Sequence, residues 1–412
     1  MLGTLTLALL LFQPADTVEL SSADALRRLL AASPRVEAAG HRLRADSARA
    51  VQARAWTNPV LSFAVENVGA AEAVTGLPAP EGLEGQALLG LELPVGGDRG
   101  AGIRQADARA RAASADAGWV RGDVAVEAVR AAASAERDRR LAVLAAEEAS
   151  TLRILADAQS AQAAEGRSSE GEAARIRLAA TLAEARLAEA RGAEAVASAE
   201  LARILGYGPT TLVRVAAGSC GPTRGPEPSL PPEVDAARAR EEAARAGLDL
   251  ARASRIPDLQ PSVGFRRAAG TEALYVGLGL RLPLFDRRGG VTEAASAEVA
   301  AAQADLRAAV EAVEARRSAA ARALDALDEA GAGFRAGWVE DLDRVVEATE
   351  ARYELGEGTL VELLDGRRAR FEALASRERW RAAWRTQRAL FLRLSGVEPA
   401  PDLFCDPLAL EN

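Results

Sequence analysis

Leu280-Arg281-Leu282-Pro283-Leu284-Phe285-Asp286-Arg287-Arg288-Gly289 restates Leu91-Glu92-Leu93-Pro94-Val95-Gly96-Gly97-Asp98-Arg99-Gly100. Pro94 and Pro283 stand 189 positions apart. An Ala-rich stretch follows each copy and breaks at a glycine, Gly166 in the first and Gly356 in the second, 190 positions apart. Each copy then closes on another glycine at the same spacing of 190, in Ile204-Leu205-Gly206 and Leu394-Ser395-Gly396. Three landmarks at nearly one offset mark an internal duplication, and a repeat governs every other reading of a chain.

Just upstream of each motif lie two short apolar segments. Residues 60–68 and 86–93 read as strands in the first repeat, and residues 259–267 and 274–282 in the second. In the last of these, Leu274, Val276, Leu278, Leu280 and Leu282 alternate with Tyr275, Gly277, Gly279 and Arg281. One face is apolar and the other small or polar, as in a barrel strand with a lipid face and a lumen face. The length, about 9–11 residues for a tilted strand, suits a membrane crossing. Trp56, Phe63, Phe265, Tyr275 and Phe285 sit in or beside these strands, where barrels carry aromatic girdles.

Downstream of each motif the sequence is helical. Helices are predicted over 99–164 and 168–205, and again over 291–354 and 359–394. The first spans about 100 Å at 1.5 Å per residue. That length indicates a coiled coil or helical array. A further helix precedes each strand pair, from Ala23 to about Trp56, with a break at Pro34, and from Glu233 to about Arg255. Ser21-Ser22-Ala23-Asp24 fits a capping box for the earlier one. The organisation read this way is a signal segment at 1–15, a first repeat at 16–210, a linker at 211–232, a second repeat at 233–396 and a tail at 397–412. The fold class is mainly α with membrane β: duplicated very long helical hairpins plus two strand pairs.

Composition narrows the function. The chain has 412 residues and is 49% hydrophobic but only 4% aromatic. Alanine supplies much of the apolar content, and it favours long, closely packed helices over a thick core. All 51 basic residues are arginine, and the net charge of −8 offers no basic stripe for nucleic acid. One histidine, His41, and two cysteines, Cys220 and Cys405, leave no set of soft ligands for a metal cluster. No nucleophile pattern surrounds His41, so the reading is of a non-enzyme that uses no cofactor.

Four strands cannot close a barrel, and an open apolar sheet leaves edges that lipid cannot satisfy. Closure therefore requires several chains. The thin Ala-rich helices need lateral neighbours for the same reason. A soluble periplasmic coiled-coil adaptor or scaffold is the competing reading. An adaptor carries one helical hairpin between β modules, whereas this chain carries two hairpins and two strand pairs.

These features together resemble the TolC-type outer membrane efflux proteins from about Leu20 to Gly396. The resemblance is carried by Leu20-Ser21 to Ala25, Arg255-Ile256-Pro257-Asp258-Leu259, Pro283-Leu284-Phe285-Asp286 and the two glycine turns. Arg281 to Gly289 and Gly96-Gly97-Asp98-Arg99 look most like the heavy-metal, CzcC-like branch. The resemblance implies a homotrimer, a shared 12-stranded barrel in the outer membrane of a Gram-negative bacterium and an α-helical tunnel in the periplasm. It implies a periplasmic adaptor and an inner-membrane pump, of the RND type, as partners. It places the channel constriction at Glu362 and Asp365, three positions apart on one helix face. An ordinary solvated acidic face is the alternative for that pair. It matches Glu172 and Tyr353 to a tip latch whose arginine position is Gly358 here, so that Arg167 or Arg175 would have to substitute. The adaptor-contacting tips would be Gly166, Arg167 and Ser168 with Gly356, Glu357, Gly358 and Thr359. For Cys220 and Cys405, a disulfide and two free thiols both stand. The exported substrate is not encoded in any side-chain cluster.

Overall fold

The computed structural model describes residues 17–66, 68, 70–78, 83–208, 210–216, 218, 220, 230–268, 271–334 and 337–408. The signal segment expected at 1–15 lies outside the described residues, as do positions 221–229 of the linker and 409–412 of the tail. In chain order the elements are β1 (Thr17–Ser21), α1 (Ser22–Ala32), α2 (Pro34–Gln52), β2 (Val60–Glu66), a short α3 (Ala71–Thr75), β3 (Glu84–Gly90), α4 (Asp98–Ala164) and α5 (Glu170–Ile204). They continue with β4 (Leu212–Ala216), α6 (Pro232–Ala253), β5 (Leu259–Ala268), β6 (Thr271–Leu280), α7 (Gly289–Gly331), α8 (Trp338–Glu354) and α9 (Leu360–Leu394). The chain forms two compact units. One comprises Met1–Ala38, Trp119–Pro232 and Val313–Asn412; the other comprises Ala39–Gly118 and Glu233–Ala312.

The second of these units carries the membrane-type sheet. Its strands are antiparallel in the order β2-β3-β5-β6. Phe63, Ala87, Phe265 and Leu274 stand abreast across all four strands, and Leu61, Leu89, Val263 and Val276 form the next row on the same face. The opposite face carries Ser62, Leu88, Gly264 and Tyr275, then Ala64, Gln86, Arg266 and Ala273. The period-two alternation therefore lays one strongly apolar face against one mixed, mostly small and polar face. The apolar face is open: Phe63 is 73% and Val276 74% exposed. Gly264 is required where β3 and β5 approach, since a Cβ there would lie 1.9 Å from the Ala87 carbonyl oxygen. Among the described residues, the outer edges of β2 and β6 have no strand partner.

In the other unit the helices pack through small residues. Ala125 and Ala128 of α4, Ala202 of α5 and Ala389 of α9 are fully buried beside Leu29 of α1 and Leu201. Ser21 caps α1 by accepting from the Asp24 N–H at 3.1 Å. Ser33 adopts an extended conformation ahead of Pro34 and separates α1 from α2, as a residue before proline does. The C-terminal segment is part of this core. Phe404 is fully buried, Arg388 donates to the Asp402 carbonyl at 2.8 Å, and Arg381 is paired with Asp406. Cys220 is bonded to Cys405, with Cα atoms 4.8 Å apart, beside Leu324 and Trp384.

Four glycines end helices in one way. Gly166, Gly206, Gly356 and Gly396 have φ of 72°, 71°, 74° and 81°. At each, the glycine N–H bonds the carbonyl three residues back, and the next N–H bonds the carbonyl five residues back, as in Arg167 to Gln162 and Glu357 to Arg352, both at 2.9 Å. These are Schellman caps, and the left-handed residue they need is most cheaply glycine.

Two expectations are corrected. The helix read over 291–354 is interrupted: α7 ends at Gly331, Ala332–Phe334 forms a 3₁₀ turn, and α8 begins at Trp338 after Gly337 at φ 88°. Three glycines in seven residues weaken the helix, and the Trp380 ring leaves no room for a side chain at Gly331, where a Cβ would lie 2.3 Å from Cζ2. Trp380 Nε1 donates to the Leu327 carbonyl at 2.7 Å, and Trp384 Nε1 donates to Asp328 at 2.7 Å. The linker read from 211 instead begins with β4, which pairs in parallel with β1 from Thr17↔Leu212 to Ser21↔Ala216. Partners 195 residues apart are invisible to a local pattern. The remaining element ends differ from the sequence reading by a few residues, as in β3 at Glu84–Gly90 and β6 at Thr271–Leu280.

Candidate functional site

Both tips are built by the same local chemistry. At the first, the Ser169 hydroxyl accepts from the Glu172 N–H at 3.2 Å, and the Glu172 carboxylate accepts from the Ser169 N–H at 3.3 Å. At the second, Thr359 Oγ1 accepts from the Glu362 N–H at 3.2 Å, and Glu362 Oε2 accepts from the Thr359 N–H at 3.0 Å. These are capping boxes, and Glu172 and Glu362 are equivalent residues 190 positions apart. The helices accordingly start at Glu170 and Leu360, with Ser169 and not Ser168 as the first cap. The Ser168 hydroxyl is buried without a hydrogen-bond partner.

An apolar cluster ties the tips together. Leu152 and Ala156 of α4, Ile176 and Ala180 of α5, and Leu360 and Leu363 of α9 are buried against one another, with Tyr353 packed alongside. Burying each large aliphatic side chain here contributes roughly 1.5–3 kcal/mol. Inside this cluster the Tyr353 hydroxyl donates to Gln159 Oε1 at 3.2 Å. Gln159 is 6% exposed, and no motif in the sequence singles it out. Burial, and after it the nearby Glu172 carboxylate, push the Tyr353 hydroxyl pKa up. Glu172 and Tyr353 are thus brought together.

Arg167 is paired with Glu165 within its own turn, and Arg352 reaches the Glu357 carbonyl at 3.4 Å. Arg175 is exposed on α5. Gly358 packs against the end of α8: a Cβ there would lie 3.2 Å from Tyr353 N and 3.3 Å from Arg352 Cβ. A side chain at this position would need the end of α8 to give by a few tenths of an ångström. Glu362 and Asp365 are both exposed on the first turns of α9. Of the Glu362 carboxylate, Oε2 caps the helix.

A four-stranded sheet with one open apolar face, in a chain whose paired long helices are knit at their tips, defines a channel-forming membrane protein. The chain belongs to the outer membrane efflux protein family, which residues 25–207 and 230–397 match. It is 36% identical over 293 residues to the nickel and cobalt resistance protein CnrC of Cupriavidus metallidurans, covering 68% of each chain. It is 31% identical over 415 residues to protein CyaE of Bordetella pertussis, covering 93% of this chain and 85% of that one. Among solved structures, the outer membrane protein VceC of Vibrio cholerae superposes with a TM-score of 0.72 at 20% identity, over 92% of this chain and 97% of that one. The protein is an outer membrane efflux channel subunit of the TolC type, and its family is one of transport and not of catalysis. No helix among the described residues is long and apolar enough to cross a membrane.

Proposed function

We propose that three copies of this chain close a twelve-stranded barrel in the outer membrane of a Gram-negative bacterium and continue as a helical tunnel through the periplasm. The observation that carries this reading is the open sheet. Its apolar face is exposed, and its edge strands β2 and β6 hold backbone groups that lipid cannot satisfy. Pairing β6 of one copy with β2 of the next removes every edge.

In this reading the turns at Gly166–Ser168 and Gly356–Thr359 dock a periplasmic adaptor. An inner-membrane pump of the RND type delivers the cargo, and the duct is passive. The exposed carboxylates of Glu362 and Asp365, repeated three times about an axis, form a ring that attracts cations. Glu172, Tyr353 and Gln159 hold the tip shut, in place of a latch with an arginine at position 358. Kinship with a protein named for nickel and cobalt resistance supports heavy-metal ions as cargo. Among the described residues no group of three His, Cys, Asp or Glu side chains is placed to hold a metal, so the choice of ion would rest with the pump or the adaptor. Membrane fractionation followed by mass measurement in detergent tests the reading: a membrane-bound trimer is expected, and a soluble monomer overturns it.

A further inference from the structure

The duplication extends to the sequences that lead into and out of the sheet. Ala53-Arg54-Ala55-Trp56-Thr57-Asn58-Pro59-Val60-Leu61 enters β2, and Ala251-Arg252-Ala253-Ser254-Arg255-Ile256-Pro257-Asp258-Leu259 enters β5, 198 positions later. Both read Ala-Arg-Ala-x-x-x-Pro-x-Leu. β3 and β6 run out into the two Leu-x-Leu-Pro motifs, 189 positions apart. β5 is therefore the counterpart of β2, and β6 of β3. The longer connection between β2 and β3 accounts for the difference between the two offsets.

Within one chain the two repeats join where β3 meets β5. Leu93, the second leucine of its motif, exchanges two backbone hydrogen bonds with Leu259, the leucine after Pro257, at 2.8 and 3.0 Å. The Leu91 N–H donates to the Pro261 carbonyl at 3.0 Å, and a proline has no N–H to return. Further along, Gly90 stands opposite Ser262, and Leu88 opposite Gly264. The counterparts of Leu93 and Leu259 are Leu282 and Leu61. On their outer sides neither has a strand partner among the described residues, and they are 61% and 59% exposed. Successive residues of an antiparallel strand turn their backbone groups to opposite neighbours. By that alternation Leu280 and Leu282 turn theirs to the outer edge of β6, and Leu61 and Phe63 turn theirs to the outer edge of β2. The Leu282 carbonyl accepts from the Leu284 N–H at 2.9 Å and keeps a second lone pair.

We propose that β6 of one copy meets β2 of the next in the register of the internal joint, Leu282 opposite Leu61 of the next copy and Leu280 opposite its Phe63. Phe63 has the N–H that Pro261 lacks, so this joint makes one backbone bond more than the internal one. Apolar side chains meet apolar ones on the apolar face. On the mixed face Gly279 meets Ala64 and Gly277 meets Glu66, so that each pair again includes a glycine, as Gly90 and Gly264 do within the chain. Arg281 stands beside Ser62 as Glu92 stands beside Gln260, and Glu92 and Arg281 of one copy line a single cleft of about 390 Å³ at the end of the sheet. The row Val60, Gly90, Ser262, Gly277 then arrives at Glu66 of the next copy, six residues further along β2. A sheet closes into a barrel by a stagger of this kind. The inference rests on the reading that copies of the chain close a barrel, and it adds the residues at which they meet.

Disulfide cross-linking of the full-length protein in isolated membranes tests it. Two double variants, Arg281→Cys with Ser62→Cys and Gly279→Cys with Ala64→Cys, place cysteines directly opposite at non-hydrogen-bonded positions. Their Cα atoms would lie about 4.5 Å apart, within reach of a disulfide. Mild oxidation should convert either variant to a covalent trimer on a non-reducing denaturing gel, while each single variant runs as a monomer. Arg281→Cys with Val60→Cys, or with Ala64→Cys, shifts the pair by two residues and sets the Cα atoms roughly 7–8 Å apart. Cross-linking should then be lost. Stronger cross-linking by a shifted pair than by the matched pairs overturns the register. So does the absence of cross-linking from every pair in an oligomer that survives extraction, and both results leave a membrane channel standing. Recovery only as a soluble monomer sinks the channel reading beneath it.

Discussion

The Tyr353 hydroxyl donates to Gln159 at 3.2 Å and ties the last turn of α8 to the last turns of α4. The contact breaks the symmetry of the duplication. The residue equivalent to Tyr353 in the first repeat is Ala163, and the residue equivalent to Gln159 in the second is Thr349. The tips are alike in their caps and differ in this bond, so the bond is where a latch between hairpins can act. Tyr353→Phe leaves the buried Gln159 amide without its donor. It should weaken the closed tip by about 1–3 kcal/mol, read as a rise in single-channel open probability. Unchanged gating would show that Tyr353 only packs.

The same residue sets a pH dependence. With its pKa raised by burial and by Glu172, the neutral hydroxyl is the form that the folded tip favours. Its stabilisation is complete below the ordinary tyrosine value of about 10 and fades as pH rises through the higher folded value. Protection at the tip, taken as the exchange rate relative to the base-catalysed rate of an open amide at the same pH, should therefore fall only above that ordinary value. A fall in protection near neutral pH would contradict the assignment.

Glu362 serves as a cap and, in the proposed ring, as a charge, and the two roles separate by substitution. Glu362→Gln keeps an acceptor for the Thr359 N–H, and with Asp365→Asn it removes the charge. Cation preference in planar bilayers should fall at least about twofold, with the tip still folded. Thr359→Ala instead removes the hydroxyl that accepts from the Glu362 N–H and should cost about 1 kcal/mol of tip stability, seen as faster exchange at residues 360–363.

Gly358→Arg places an arginine at the family's latch position, but its Cβ meets the backbone of Tyr353 at 3.2 Å. The variant should loosen the turn by about 1–3 kcal/mol, not tighten it. A longer closed time in single-channel records would contradict this.

Gly264→Ala forces a Cβ into the Ala87 carbonyl. Since β3 and β5 join the two halves of the sheet, the variant should lose membrane recovery almost entirely. Normal recovery in the membrane fraction would mean that the strands separate without cost.

What could be read from the sequence depended on how local the signal was. Alternation over 274–282 and the glycines at 166, 206, 356 and 396 speak within a few residues. The strands and Schellman caps stand where those signals lie. The pairing of β1 with β4 joins residues 195 positions apart, and Gln159 is one amide in a polar helix, so neither left a local trace. The interruption at Gly331–Gly337 did leave one. That trace is three glycines in seven residues, and the Trp380 ring against Gly331 adds the reason why the chain turns there. The opposite charges of Glu92 and Arg281 were equally visible, but only the folded loops bring them to one cleft.

The most direct test of the channel itself is conductance across a planar bilayer by protein purified from membranes. Discrete, cation-preferring conductance steps are predicted, with the preference reduced by Glu362→Gln and Asp365→Asn together. A folded, membrane-extracted protein that inserts and conducts no ions even with the tip loosened by Tyr353→Phe would contradict the account.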